Sequence, residues 1–183
     1  MFLKRCQISL TDLLLYNYHI EFLTATILNW KHLLKDDAYK QVIVDSLQWL
    51  TEQARCTIHG FVIMPNHIHL LWRISNLHDR FNVQGALLSY TAHRFKTVAK
   101  EDGKLFKHFV ADKDRLFQFW ERDSLVKECW NETFLLQKLN YIHHNPCQPH
   151  WKLAATPEDY KWSSARFYHT GVSEFGWLKH YAG

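Results

Sequence analysis

Two strongly apolar runs, Cys56–Ile63 and His67–Ile74, are separated only by Met64-Pro65-Asn66. Proline sets its own φ and asparagine favours tight turns, so the chain reverses there and the two runs pair as an antiparallel β-hairpin. Side chains alternate between the faces of a strand, so Ile68, Leu70, Trp72 and Ile74 share one side and His67, His69, Leu71 and Arg73 the other. The first set is wholly apolar and is the side expected to lie under helices. Two imidazoles are thereby placed on the open face, about 7 Å apart along the strand. At that separation both can reach a single divalent ion, provided a third ligand and a reactive group come from elsewhere.

The flanking segments frame this hairpin. Tyr18 to Thr26 is a β-rich string and predicts a first strand. Asp36-Asp37 opens a segment to about Gln53 in which Val42, Ile43, Leu47 and Leu50 recur at helical intervals, with acidic residues suited to the positive end of the helix dipole. A second helix is expected from Phe81 or Asn82 to Lys100, burying Val83, Leu87, Leu88, Ala92 and Phe95. Residues 101–115 read as a basic loop, and Phe117–Trp120 as a fourth strand by its alternation. A last helix, capped near Asn131 or Thr133, carries Leu135, Leu136, Leu139 and Ile142 and stops at Asn145-Pro146. The order β-α-β-β-α-β is that of an α+β, ferredoxin-like antiparallel sheet with helices on one face, here followed by an additional helix. The expected divisions are an N-terminal extension (1–17), a central domain (18–145) and a C-terminal tail (146–183). Such a fold names no chemistry by itself.

Composition narrows the classes. The chain has 183 residues, 47% apolar and 22% charged, which suits one globular domain and not a disordered protein. No apolar run approaches the ~20 residues that span a bilayer, so no membrane role is expected. Lys4 and Arg5 are followed by Gln7, Ser9, Thr11 and Asp12, a poor secretory signal. Cys6, Cys56, Cys129 and Cys147 form no C-x-x-C pair, so neither a zinc knuckle nor a disulfide framework is indicated, and a reducing cytoplasm is the expected compartment. The net charge of +4 is a mild basic bias, compatible with nucleic acid. Thirteen histidines make about one His-x-His expected by chance, so the pair needs partners before it carries meaning.

Those partners stand on the last helix. Tyr141 and Asn145 are at i and i+4, which brings their side chains to one face, with Gln137 a turn earlier. A tyrosine and a carboxamide at a helix end suit a nucleophile and a hard-oxygen metal ligand. An Asn oxygen favours magnesium or manganese, and two histidines move the choice toward manganese. The competing reading is that Tyr141 packs in the core and Asn145 caps the helix before Pro146. Tyr90 is the strongest rival tyrosine, lying near His93 and Arg94, but it has no amide one turn away.

Three stretches carry a family likeness: Phe61-Val-Ile-Met-Pro-Asn-His-Ile-His-Leu-Leu-Trp72, Leu139-Asn-Tyr-Ile-His-His-Asn-Pro146 and Pro157-Glu-Asp-Tyr-Lys-Trp-Ser-Ser-Ala-Arg166. In content and order they resemble the REP-associated tyrosine transposases, relatives of the single-strand insertion-sequence transposases in the HUH superfamily. The resemblance covers roughly residues 18–168. His67 and His69 fall on the family's paired-histidine motif, Tyr141 on its nucleophile and Asn145 on its third metal-binding position. Leu88 to Lys96 resembles a variant of the family's second helix that lacks a nucleophile, which demotes Tyr90. After Pro146 the family usually continues with a Val-Arg-Ala-Gly-like turn where this chain has Cys147-Gln-Pro-His150, and residues 1–17 match no counterpart.

The resemblance implies cleavage and rejoining of single-stranded DNA at hairpin elements beside a short guide sequence, with Mg²⁺ or Mn²⁺ held by His67, His69 and Asn145 and a 5′-phosphotyrosine formed on Tyr141. His144 and His143 are candidates for moving the tyrosine proton. Arg94, Lys96, Lys100, Lys104, Lys107 and Arg115 are candidates for tracking DNA phosphates, and exposed tryptophans for stacking unpaired bases. Monomer and homodimer are both compatible with the sequence. Two other readings stay open: a catalytically silent hairpin-DNA binder, and a metal-dependent hydrolase of small phosphoesters.

Overall fold

The computed structural model describes residues 20–103, 105 and 116–183. Strand β1 (Ile20–Thr26) is followed by helix α1 (Asp37–Glu52), the hairpin β2 (Cys56–Ile63) and β3 (His67–Ile74), helix α2 (Arg80–Glu101), strand β4 (Leu125–Cys129), helix α3 (Glu132–His144) and a short α4 (Ala165–Thr170). Each long helix starts at a side-chain cap. Asp36, Asp79 and Asn131 accept from the backbone N–H groups of Ala38, Asn82 and Phe134, which satisfies donors that the first turn leaves without partners. The protein is α+β, with one antiparallel sheet in the order β2-β3-β1-β4. Among the described residues no helix is long and apolar enough to cross a membrane.

The two faces of the sheet carry different partners. On one, α1 and α2 lie side by side. Arg80 at the start of α2 pairs with Glu21 at 3.4 Å, and Glu21 stands opposite Trp72 across the β1–β3 ladder. Phe95 of α2 meets Tyr39 of α1 edge to face, with centroids 5.4 Å apart. Ile68, Leu70 and Trp72 are fully buried, as the alternation of the hairpin requires. The opposite face holds Phe22, Thr24, Leu71, His69 and His67, and α3 packs across it, with Leu139 and Ile142 against β2 and Lys138 and Tyr141 against Phe22 of β1.

That second contact depends on Gly60. A Cβ there would lie 2.9 Å from Cδ1 of Leu139 and 3.1 Å from Cδ1 of Ile142, so the missing side chain sets how close α3 comes to β2. Gly60→Val is expected to destabilise the protein by about 1–3 kcal/mol, the usual cost of overpacking, measured as a lower urea midpoint with an unchanged slope. An unchanged midpoint would mean that α3 rides loosely on the sheet.

Residues 157–179 run along the outer edge of β2. Phe61 and Ser164 exchange backbone and hydroxyl hydrogen bonds, the Ile63 N–H donates to the Trp162 carbonyl at 2.9 Å, and the Lys179 N–H donates to the Ile58 carbonyl at 3.0 Å. The Tyr160 hydroxyl donates to the Ile63 carbonyl, and the Trp162 indole N–H to Asp37 at the start of α1. An edge strand left bare would offer its backbone groups to other chains, and this segment covers them.

One expected element is corrected. Phe117–Trp120 is not the fourth strand; it forms no ladder but isolated bridge positions at Phe117 and at Trp120, which pairs with Ile27, and the strand beside β1 is Leu125–Cys129. Phe119 and Trp120 are apolar because they fill the core against Phe95, at 5.9 and 5.7 Å between centroids, and the Trp120 indole N–H donates to Thr91. The true β4 reads Leu-Val-Lys-Glu-Cys, and only Cys129 is buried. A short edge strand with charged side chains lacks the alternation by which strands are recognised. The remaining elements lie within two residues of their expected bounds over the described range. The N-terminal extension 1–17, the start of the first strand at Tyr18 and most of the basic loop fall outside the described residues.

Candidate active site

His67 and His69 are adjacent outward positions of β3, and their rings converge to 4.7 Å between centroids. Both are buried, at 7% and 4% exposure, as is Asn145 at 5%. Each imidazole is held by its Nδ1 edge. The Asn66 amide nitrogen donates to the Trp30 carbonyl at 3.3 Å, which turns the amide oxygen to His67, where Nδ1–H donates to it at 2.6 Å. The lone pair of His67 is therefore on Nε2. His69 Nδ1 pairs at 2.7 Å with Oγ1 of Thr24, its directly opposed residue on β1. Nε2 of His69 is buried with no hydrogen-bond partner.

Helix α3 brings the remaining groups. Asn145 lies just past its C-terminus, with its amide 3.4 Å from His67 Nε2. A half-turn of that amide puts its oxygen where the nitrogen now stands. One turn earlier Tyr141, half-exposed, lies edge-on to His69 at 5.3 Å between centroids. Phe22 stacks on the face of His69 at 5.1 Å and meets Tyr141 edge-on at 6.3 Å. Lys138, a further turn back, holds its ammonium 5.0 Å from the Phe22 ring centre and 5.9 Å from that of Tyr141.

This donor set fits a divalent ion. Metal-binding histidines characteristically engage one ring nitrogen with the protein and leave the other free, and here both Nδ1 atoms are engaged. The orphaned, buried Nε2 of His69, on a ring beside a second imidazole, is costly unless something binds it. Ligation also requires neutral imidazole. Burial pushes His67 down to about 4, and burial reinforced by the positive charge of His67 and Lys138 pushes His69 down to about 3. Among the described residues no three His, Cys, Asp or Glu side chains cluster for a metal, so a third protein donor beside this pair would have to be the Asn145 carboxamide.

Acid stability follows from the same burial. His59, the extra residue of the β2 bulge, and His143 are also held down to about 4 by burial. Unfolded imidazoles titrate near 6.5, so below that pH the unfolded chain takes up protons that the native state refuses. The stability contributed by each such histidine is complete above about pH 7 and falls by about 1.4 kcal/mol per pH unit between 6.5 and the folded value. The melting temperature should drop steeply from pH 6.5 to 4.5, and His59→Gln should make that decline shallower. A flat profile would mean that these rings are hydrated.

The sequence-derived candidates divide. His67, His69, Asn145 and Tyr141 come together from strand and helix separated by about seventy residues of chain. His143, on the opposite side of α3 from Tyr141, pairs with the Ser164 hydroxyl at 2.8 Å and packs on Tyr168. His144 is exposed, and its Nδ1–H donates to the Asn140 carbonyl. Tyr90 lies on α2 in a groove with Trp49, across the sheet from the histidine pair. Arg94, Lys96 and Lys100 are exposed on that same helix, on the far face; Lys96 covers the ring of Phe117. Lys104, Lys107 and Arg115 fall outside the described residues.

Several site groups were not read from the sequence. Lys138 is three residues before Tyr141 and so on its face, a spacing that could have identified it. Thr24 and Asn66 hold the histidines through cross-strand and turn contacts that no spacing rule reports. Trp30 and Trp151 flank His67 at 6.4 and 6.0 Å between ring centres.

Comparison with solved structures places this architecture. The chain superposes on a REP-associated tyrosine transposase bound to a REP hairpin with a TM-score of 0.61 and 15% identity, over 90% of this chain and 88% of that one. A candidate transposase from Deinococcus radiodurans R1 aligns at 20% identity and a TM-score of 0.49, over 70% of this chain and 92% of that one. The first likeness establishes a shared fold. No protein-family model matches the chain. No curated protein sequence matches it either.

Proposed function

We propose that this protein is a REP-associated tyrosine transposase of the HUH superfamily, which cleaves and rejoins single-stranded DNA at hairpin elements through a 5′-phosphotyrosine. In this reading β1-α1-β2-β3-α2-β4 is the ferredoxin-like unit and α3 the added helix that carries the nucleophile. One observation supports it above the others. Two adjacent buried imidazoles have their Nδ1 edges engaged, His67 Nε2 faces the Asn145 amide, His69 Nε2 is buried without a partner, and a half-exposed tyrosine stands against His69.

His67, His69 and Asn145 would hold Mg²⁺ or Mn²⁺, which when bound neutralises charge on the scissile phosphate and polarises it. Tyr141 presents its phenol oxygen to the phosphorus. The new bond joins Oη to phosphorus, the bond from phosphorus to the 3′-oxygen breaks, and the departing 3′-oxygen takes up a proton as the phenol gives one up. Attack of a 3′-hydroxyl on the phosphotyrosine reverses these changes, so rejoining needs no nucleotide cofactor. Lys138, poised over Phe22 and Tyr141, provides positive charge on the side where the phosphate arrives. Phe22 and α3 shield the histidine pair from water.

The test is direct. A labelled single strand with a hairpin and a flanking tail is incubated with the protein and Mg²⁺ or Mn²⁺, and the products are separated under denaturing conditions. A labelled protein band that disappears on chelation is the expected result. Release of cleaved strand without any adduct would favour a phosphoesterase, and binding without cleavage a silent hairpin binder.

A further inference from the structure

We propose that Trp30 is a stacking platform for one unpaired nucleobase of the strand that enters the His67–His69–Tyr141 site; this rests on the single-stranded DNA reading above. Asn29 and Trp30 both have positive φ, 56° and 55°. Asparagine tolerates that region, but a bulky side chain there is strained and persists only where its surroundings impose it. The surroundings are specific. The Asn29 N–H donates to the Glu121 carboxylate at 2.7 Å, the Trp30 N–H to the Ile27 carbonyl at 2.9 Å, and the Trp30 carbonyl accepts from the Asn66 amide. That amide also orients His67, so one carboxamide fixes both a site imidazole and the backbone that carries the indole.

The strain is not explained by core packing, because Trp30 is 63% exposed. Its ring stands edge-on to His67 with 6.4 Å between centres, and Trp151 approaches the same imidazole from a second direction, itself backed by His32 at 5.7 Å. A rigidly held indole with a free face at the rim of a phosphate-handling site matches what an unpaired base offers. Every base has a π-face, so stacking grips the strand without reading its sequence. The neighbouring bases of the guide or the hairpin foot would then be specified by other groups.

The experiment uses the full chain with Tyr141→Phe, so that DNA is bound but not cut, and a hairpin oligonucleotide with a single-stranded flank. One abasic nucleotide is walked through the flank and affinity is read by fluorescence anisotropy. With Trp30 present, one abasic position should weaken binding about tenfold, within the range of alanine replacement of a stacking aromatic. Trp30→Ala should bind the intact strand about tenfold more weakly and lose its sensitivity to that position, and Trp30→Tyr should recover part of both. Trp30→Gly relieves the positive φ, so it should melt no lower than the parent while binding like Trp30→Ala. A Trp30→Gly protein that binds every oligonucleotide as the parent does overturns the platform and leaves the transposase reading intact. Absence of hairpin binding by all proteins overturns both, and a loss of binding that tracks a lowered melting temperature assigns Trp30 a structural role only.

Discussion

Tyr141→Phe is expected to abolish the covalent protein–DNA adduct and to slow strand cleavage by about 10⁴-fold or more, in the range of losing an essential nucleophile. Hairpin affinity should change by less than about threefold, because only one hydroxyl is removed from a ring that keeps its edge contacts with His69 and Phe22. The same reasoning predicts a melting temperature close to that of the parent, since the side chain is half-exposed and its aromatic packing is retained. The result separates the three chemical readings. A phosphoesterase that activates water at the histidine pair would keep its rate in the Phe variant. A silent binder would show the same affinity and no adduct in either protein. Cleavage by Tyr141→Phe above a tenth of the parent rate would place the nucleophile elsewhere, and Tyr90, across the sheet, is too remote from the histidines to replace it within the same site.

The hairpin that frames this site was legible because two constraints coincide there. Strand alternation separates Ile68, Leu70 and Trp72 from His67 and His69, and the Pro65-Asn66 turn pins the register of that alternation. The helix carrying Tyr141 and Asn145 was legible for a similar reason, since i and i+4 positions share a face whatever the helix packs on. Long-range placement was not legible. Nothing local in Leu125–Cys129 distinguishes an edge strand from a polar loop, whereas Phe119 and Trp120 look like strand residues because burial, from whatever cause, selects apolar side chains. Charge was equally uninformative about side. Arg94, Lys96 and Lys100 are exposed on α2 as expected of a basic helix, yet α2 covers the face of the sheet opposite the histidines, while Lys138 stands alone in sequence and adjoins Tyr141. Strain leaves no trace in composition either: Asn29-Trp30 reads as ordinary loop, and only the backbone angles reveal a forced conformation.

His69→Ala should lower the affinity for Mn²⁺ by more than about 100-fold, beyond the 10–100-fold that loss of a group supporting a ligand costs, and Thr24→Val should fall within that smaller range. The two substitutions test different parts of one arrangement. His69 offers the orphaned Nε2, and Thr24 fixes the ring that aims it. Stability should respond in the opposite order to simple burial. Removing His69 leaves a gap beside Phe22 and Tyr141, but it also removes a buried polar atom without a partner, so the metal-free variant should lose less than a comparable apolar truncation. Calorimetric titration with Mn²⁺ reads the first effect and melting with and without the ion the second, since an ion bound only by the folded state raises the melting temperature of the parent but not of His69→Ala. Cleavage need not be measured for either result to count. Equal Mn²⁺ affinity in the parent and in His69→Ala would mean that no ion meets the free edges of the imidazoles, and the pair would then be packing against Phe22 and α3 and nothing more.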